Sequence, residues 1–290
     1  MNKNNEEEEK KKKQEKVDQE IDGSDQQQDG TKTKSHGEIL KQQIIEGCET
    51  YDRSWSSILL SSFTAGLEIG FSFLMLATLH HFASGYFAEE VVFKLMAFVY
   101  PLGFILVIMG QSILFTEQTS LLTLPVLSNK RSLGSLFRIW GLVILGNLVG
   151  GLLIALTLVW VGPKLAIFTE LDIEKIGLHM VEYEVFTILV SAILAGWLMG
   201  LLSWLVTSSK ETVGEIIVIY LITALMGFTG LHHSIIGNIE IFSAMLVSPE
   251  ITILEYIQTL VVILAGNAIG AVFFVALLKY RAFVFNVKMP

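Results

Sequence analysis

The 290-residue chain contains a single cysteine, Cys48, which excludes an intrachain disulfide framework and a thiolate metal cluster. It has no Ser-His-Asp order, no phosphate-cradling glycine loop and no nucleotide motif, so neither an enzyme nor a nucleic-acid partner is expected. No secretory leader is expected either, because no apolar run follows the first charges until after residue 55. Charge is scarce beyond the start of the chain. About half of the charged residues lie in the first 53 positions, so the formal net charge of -8 is a poor guide to the apolar remainder.

That tail, residues 1–37, carries Glu6 to Glu9, Lys10 to Lys13 and a run of three glutamines at Gln26 to Gln28. With almost no apolar residue it cannot offset the entropy of ordering, and it is expected to be disordered and cytoplasmic, with a regulatory plug as the sharper alternative. Over 38–54, Ile39, Leu40, Ile44, Ile45 and Cys48 recur at helical spacing among polar residues. An amphipathic helix is expected there. It lies on the membrane face, or under a neighbouring subunit, or simply leads into the first span.

Apolar residues make up 52% of the chain and the mean hydropathy is +0.58. Six hydrophobic segments, at roughly 55–82, 91–127, 139–161, 184–207, 215–248 and 256–278, each approach or exceed the ~20 residues needed to cross a bilayer. The pattern predicts an all-α integral membrane protein with a six-span domain over 55–282 and a short C-terminal tail over 283–290. Its surroundings are membrane lipid.

The second and fifth segments are too long for one span, and both are interrupted. Met226 to Glu240 holds Gly227, Gly230, His232, His233, Ser234, Gly237, Asn238 and Glu240 where hydrocarbon is expected; Met109 to Thr119 holds Gly110, Gln111, Leu114, Phe115, Thr116 and Glu117. Irregular backbone at membrane depth persists only where protein or a water-filled cavity satisfies it, so such breaks mark a solute path. The stretches overlay at an offset of about 117 residues, with Leu114 on Leu231, Phe115 on His232 and Thr116 on His233. Flanking helices repeat too. Ala65-Gly66 with Gly70 matches Ala195-Gly196 with Gly200, and Gly146-Asn147 with Gly150 matches Gly266-Asn267 with Gly270. A repeat of three helices re-enters the membrane from the opposite side, so the halves are inverted and the broken second and fifth helices meet near the midplane.

Lys130, Arg131, Arg138, Lys210, Lys279, Arg281 and Lys288 fall on one side of the segments, and Glu89, Glu90, Glu170, Asp172, Glu174, Glu182, Glu250 and Glu255, against Lys164 and Lys175, on the other. The basic side is taken as cytoplasm, with both termini there.

Three plus three spans, a Leu114-Phe115-Thr116 loop, a His-Ser break in the fifth segment and Gly-Asn-x-x-Gly in both third helices together resemble the formate/nitrite transporter family over about residues 38–282. The resemblance implies an aquaporin-like protomer, a homopentamer with one pore per protomer in the inner or plasma membrane, and passage of small monovalent anions such as formate, nitrite or hydrosulfide. It also implies a central site made by Thr116 and His233. The chain departs from the family pattern in having two histidines, in placing Asn238 five residues after His233, and in following the threonine with Glu117.

The residues suggest a mechanism. A monocarboxylate entering hydrocarbon loses hydration worth many kcal/mol, which the path must replace with donors, positive half-helix ends or a proton. His233, with an imidazole that ordinarily titrates at about 6.5, can supply a hydrogen bond or a proton. Thr116 orients that ring, touches solute or caps a half-helix. Leu114, Phe115 and Leu231 are candidate apolar constrictions, and Gly110, Gly227, Asn147 and Asn267 candidate supports of the breaks. His232 and Asn238 stand as further pathway candidates. Glu68, Glu117 and Glu240 either pair structurally or relay protons, the latter favouring a proton-coupled or neutral-solute pathway. A sensor or scaffold is the non-transport alternative. Neither metal nor cofactor is expected, since adjacent histidines such as His80-His81 point about 100° apart on a helix and do not converge.

Overall fold

The computed structural model describes residues 11–12, 14–21 and 34–286, and among these there is no strand. Helices begin where the sequence supplies caps. Ser35 and Glu38 form a reciprocal capping box that opens α2 (His36–Asp52), after a short α1 at residues 14–21. Ser54 caps α3 (Trp55–Ala83), and Ser132 caps α7 (Leu133–Lys164). Between them lie α4 (Glu89–Met96), α5 (Pro101–Met109) and α6 (Phe115–Leu127).

The second half opens with α8 (Glu170–Val181), closed at its start by a Thr169/Asp172 capping box, followed by α9 (Val185–Ser208). Then come α10 (Thr212–Thr229), α11 (Ser234–Val247) and α12 (Ile253–Gly270), which runs through a π-helical stretch, Ala271–Leu277, into α13 (Leu278–Asn286). Among the described residues, six helices are long and apolar enough to cross a membrane: Trp55–Ala83, Glu89–Met109, Leu133–Lys164, Val185–Ser208, Thr212–Thr229 and Ile253–Phe285. Their outward residues, such as Phe98, Trp160 and Phe186, are exposed apolar groups of the kind that face lipid or a second subunit.

Both long segments are broken. The chain leaves α5, passes residues 110–114 and restarts as α6; it leaves α10, passes 230–233 and restarts as α11. Each turn uses a left-handed residue, Gln111 at φ 57° and Gly230 at φ 69°. These two are 119 residues apart, and so are the half-helix caps Leu114 and His233. The 117-residue overlay is therefore two residues out of register at the breaks. His233 is the counterpart of Leu114, and Thr116 has no histidine counterpart. Gly227 sits inside α10 rather than in the turn, where a Cβ would come within 3.0 Å of the Tyr100 side chain.

Small residues set the helix spacing. A Cβ on Gly66 would lie 2.3 Å from the Asn147 carbonyl oxygen, and one on Gly196 would lie 2.1 Å from that of Asn267, so α3 meets α7 and α9 meets α12 at backbone contact. The repeat is larger than three helices. The amphipathic α2 packs on the half-helix α6, and α8 packs in the same way on α11. The sequence pattern reads 170–181 as part of an acidic loop; burial of its apolar Ile173 and Ile176, with Gly177 set against α11, makes it a helix.

The charged N-terminal segment also differs from expectation over residues 14–21. Val17 and Ile21, 1% and 3% exposed, join Ile39, Leu40, Trp204 and Tyr280 in a second apolar cluster that ties both ends of the chain to α9. Four-residue spacing lets one short helical face bury both. Residues 1–10 and 22–33, expected in the same tail, lie outside the described residues, as do 287–290 of the C-terminal tail.

Candidate functional site

The two breaks are fastened alike. Asn147 on α7 accepts the Phe115 N–H at 2.8 Å and donates to the carbonyls of Ile113 (2.8 Å) and Ser62 (2.7 Å). Asn267 on α12 accepts the Ser234 N–H at 2.8 Å and donates to the carbonyls of His232 (3.0 Å) and Ala192 (2.8 Å). One side chain thus satisfies the backbone on both sides of each break, which the hydrocarbon could not. It also aims the first turns of α6 and α11, with their partial positive charge, at a common point.

At that point Thr116 Oγ1 lies 2.6 Å from His233 Nε2, and the two residues are 2% and 0% exposed. His233 is itself the cap of α11, with Nδ1 facing the Ile236 N–H at 3.5 Å. Acceptance at Nδ1 leaves the proton on Nε2, which then donates to Thr116 and frees the hydroxyl hydrogen to turn toward a solute. The Phe104 ring meets the imidazole edge-on at 5.0 Å between centroids. Nothing in the apolar α5 pattern singled out Phe104 beforehand.

Two cavities approach this point from opposite sides. One, of about 410 Å³, lies under α2 and is lined by Gln42, Glu46, Ile113, Glu117, Ser203 and Thr207, among others. Burial, opposed by a hydrogen bond from Gln42 and by Lys34, holds the Glu46 carboxyl above its ordinary range. The other, of about 70 Å³, lies beside α8 and is lined by Lys94, Tyr100, His179, Gly227, Leu231 and Glu240, among others. Ile113 and Leu231, one from each break, line opposite cavities. Between them stand Leu114, Phe115, Thr116, Phe104 and His233, each at most 2% exposed.

Other predicted residues are placed elsewhere. His232 points away from Thr116: its Nδ1 and its N–H both meet Ser191 Oγ, at 2.8 and 3.1 Å, and its Nε2 meets the Met180 carbonyl at 3.2 Å. Asn238 accepts from Tyr256 at 2.5 Å and faces the Leu148 carbonyl at 3.5 Å, so it joins α11 to α12 and α7. Phe115 packs edge-on against Trp140 at 5.6 Å. Gly110 is the cap of α5, where a Cβ would lie 2.5 Å from the Leu106 carbonyl oxygen and 3.6 Å from Glu68 Oε1. Glu117 and Glu240 enter opposite cavities rather than pairing with each other.

The family model described as "Formate/nitrite transporter" matches residues 37–281. The chain belongs to the formate/nitrite transporter family. The inner membrane protein YfdC of Escherichia coli (strain K12) is 30% identical over 246 residues, covering 81% of this chain and 74% of that one. Two solved structures share the fold of this transporter: an "FNT family ion channel", with TM-score 0.75, 22% identity and coverage of 84% and 98%, and a "Pentameric formate channel with formate bound", with TM-score 0.67, 22% identity and coverage of 79% and 98%.

Proposed function

We propose that this transporter is a channel or passive carrier for small monovalent anions, with formate and nitrite the leading candidates. It works as a homopentamer with one path per protomer, in an inner or plasma membrane with both termini in the cytoplasm. The observation that carries the reading is the hydrogen bond between His233 and Thr116, held where two half-helix N-termini converge between two cavities. An anion arriving there meets a hydroxyl, an imidazole and two positive helix ends in place of lost water. Leu114, Phe115 and Leu231 narrow the approach against hydrated ions. The family membership and the formate-bound pentamer of the same fold support the substrate class and the assembly. The basic residues Lys130, Arg131, Arg138 and Lys210 support the orientation with the α2-side cavity inward.

The test is solute flux into proteoliposomes of the purified protein beside protein-free vesicles. Entry of formate or nitrite well above empty vesicles, with no comparable entry of glycerol, is the expected result. Glycerol entering as fast as either anion, or neither anion entering, would overturn it.

A further inference from the structure

On the outer surface of the spans, α3 and α7 leave a groove of about 380 Å³ between them, with Leu59, Leu60 and Phe63 on one wall and Leu145 and Val149 on the other. Gly146 lines it too and presents no side chain; a Cβ there would lie 2.6 Å from that of Ser62. Trp55, Leu59 and Phe63 fall four residues apart on α3, and Arg138, Leu145 and Val149 seven and four apart on α7, so each helix carries one continuous face. Both helices start on the α2 side, which puts Trp55 and Arg138 at one end of the groove. Apolar surface on a spanning helix is ordinary. The end of this groove is not.

There, Arg138 Cζ lies 5.5 Å from the centre of the Trp55 ring, and both side chains are exposed. Among the described residues no carboxylate or carbonyl accepts from the Arg138 guanidinium. A few residues earlier the same arrangement is complete: Arg131 Cζ lies 5.6 Å from the Tyr51 ring, and Arg131 donates to Asp52 Oδ1 at 2.6 Å. Arg138 has the aromatic seat without the anion. A ring offers a cation its negative face but no oxygen, so the donor fork remains available for a bidentate phosphate.

We propose that this groove holds one anionic phospholipid, with its phosphate on Arg138 beside Trp55 and an acyl chain laid between α3 and α7. The two ends of the site fix the occupant together. The unpaired guanidinium asks for an anion at the membrane surface, and the walls ask for hydrocarbon beneath it, over roughly 12 Å from Trp55 to Phe63. A soluble anion lacks the hydrocarbon, and a zwitterionic lipid brings its own cation. Gly146 precedes Asn147, which donates to the Ser62 carbonyl of α3, so the lipid braces the helix pair that fastens the first break. The lipid site stands whether or not formate is the solute.

Full-length protein in detergent, titrated with phosphatidylglycerol or with phosphatidylcholine of the same acyl chains, is read by native mass spectrometry for lipid and subunits retained, and by its melting temperature. Wild type is expected to hold phosphatidylglycerol about fivefold more tightly than phosphatidylcholine and to melt higher with it. Arg138→Gln, at an exposed position, is expected to bind both lipids equally, and Arg138→Lys to keep part of the preference. Leu145→Trp, which fills the groove, is expected to weaken both. Glycerol phosphate, the head without the chains, is expected not to displace the lipid. Equal affinity of wild type for the two lipids, an unchanged preference in Arg138→Gln, or displacement by glycerol phosphate overturns the inference. So does loss of subunits from the oligomer in Leu145→Trp with lipid retention unchanged, which assigns the groove to a second copy of the chain.

Discussion

Thr116→Val keeps the outline of the side chain and removes the one hydroxyl that meets His233. The buried imidazole nitrogen is then left without its partner, at a cost of about 1–3 kcal/mol. The variant is expected to melt at lower temperature in detergent and to carry less formate, whereas Thr116→Ser keeps the hydroxyl and retains most of both. His232 behaves differently, because its ring and its N–H are bound to Ser191 and its other nitrogen to the Met180 carbonyl. Ser191→Ala is therefore expected to lower the melting temperature while leaving the pH profile of flux unchanged, which assays of both quantities on one preparation check. From sequence, two adjacent imidazoles stand in a glycine-rich break, and the preference for His233 rests on its overlay with Thr116 and on the serine that follows it. What separates them is a serine 41 residues earlier, a distance over which no local pattern carries information.

At the scale of elements, each asparagine on a third helix holds a broken helix through three hydrogen bonds. Asn147→Ala or Asn267→Ala leaves three buried backbone groups to find new partners, a loss of roughly 2–4 kcal/mol at ~1 kcal/mol per bond. Either variant is expected to melt earlier than wild type and to lose flux, read by thermal denaturation and vesicle assay. The breaks were legible in the sequence because polar and glycine residues interrupt otherwise continuous apolar runs. The register was not, since the left-handed turns at Gln111 and Gly230 fix it and glycine positions alone do not.

A second element-scale feature is the clasp between α3, α4 and α8. Asp172 receives His80 at 2.7 Å and His81 at 2.9 Å together with the N–H and hydroxyl of Thr169, and His80 also meets Glu89 at 3.0 Å. Burial pushes the Asp172 carboxyl upward, but these hydrogen bonds outweigh it and hold the group below its ordinary 3.8. Its contribution to stability is therefore complete at neutral pH and lost only as pH falls below the ordinary aspartate range. Asp172→Asn is expected to melt lower than wild type at pH 7, with the gap closing in strong acid, as melting curves across pH would show. The clasp hid from sequence reading because α8 was taken for loop.

Across the whole molecule, the inverted halves explain more than the spans do. Each half contributes an amphipathic helix, a packed pair of full spans and a half-helix, so one architecture serves both sides of the membrane. The six spans and their inverted pairing followed from hydropathy and from repeated glycine and asparagine spacings, which report backbone contact directly. The side chains that fill the centre followed less well. Phe104 lies in an unbroken apolar run, and the seating of Val17 and Ile21 needs the second apolar cluster to exist before it can be inferred. A homopentamer is expected for the purified protein, and native mass spectrometry counts its subunits.

The central claim is that anions pass at His233. Formate flux through His233→Ala beside wild type, with both assembled to the same oligomer and assayed at about pH 5 and pH 8, tests it most directly. The account predicts that the variant loses most of its flux or loses the difference between the two pH values. Equal flux with the same pH dependence in both proteins would contradict it.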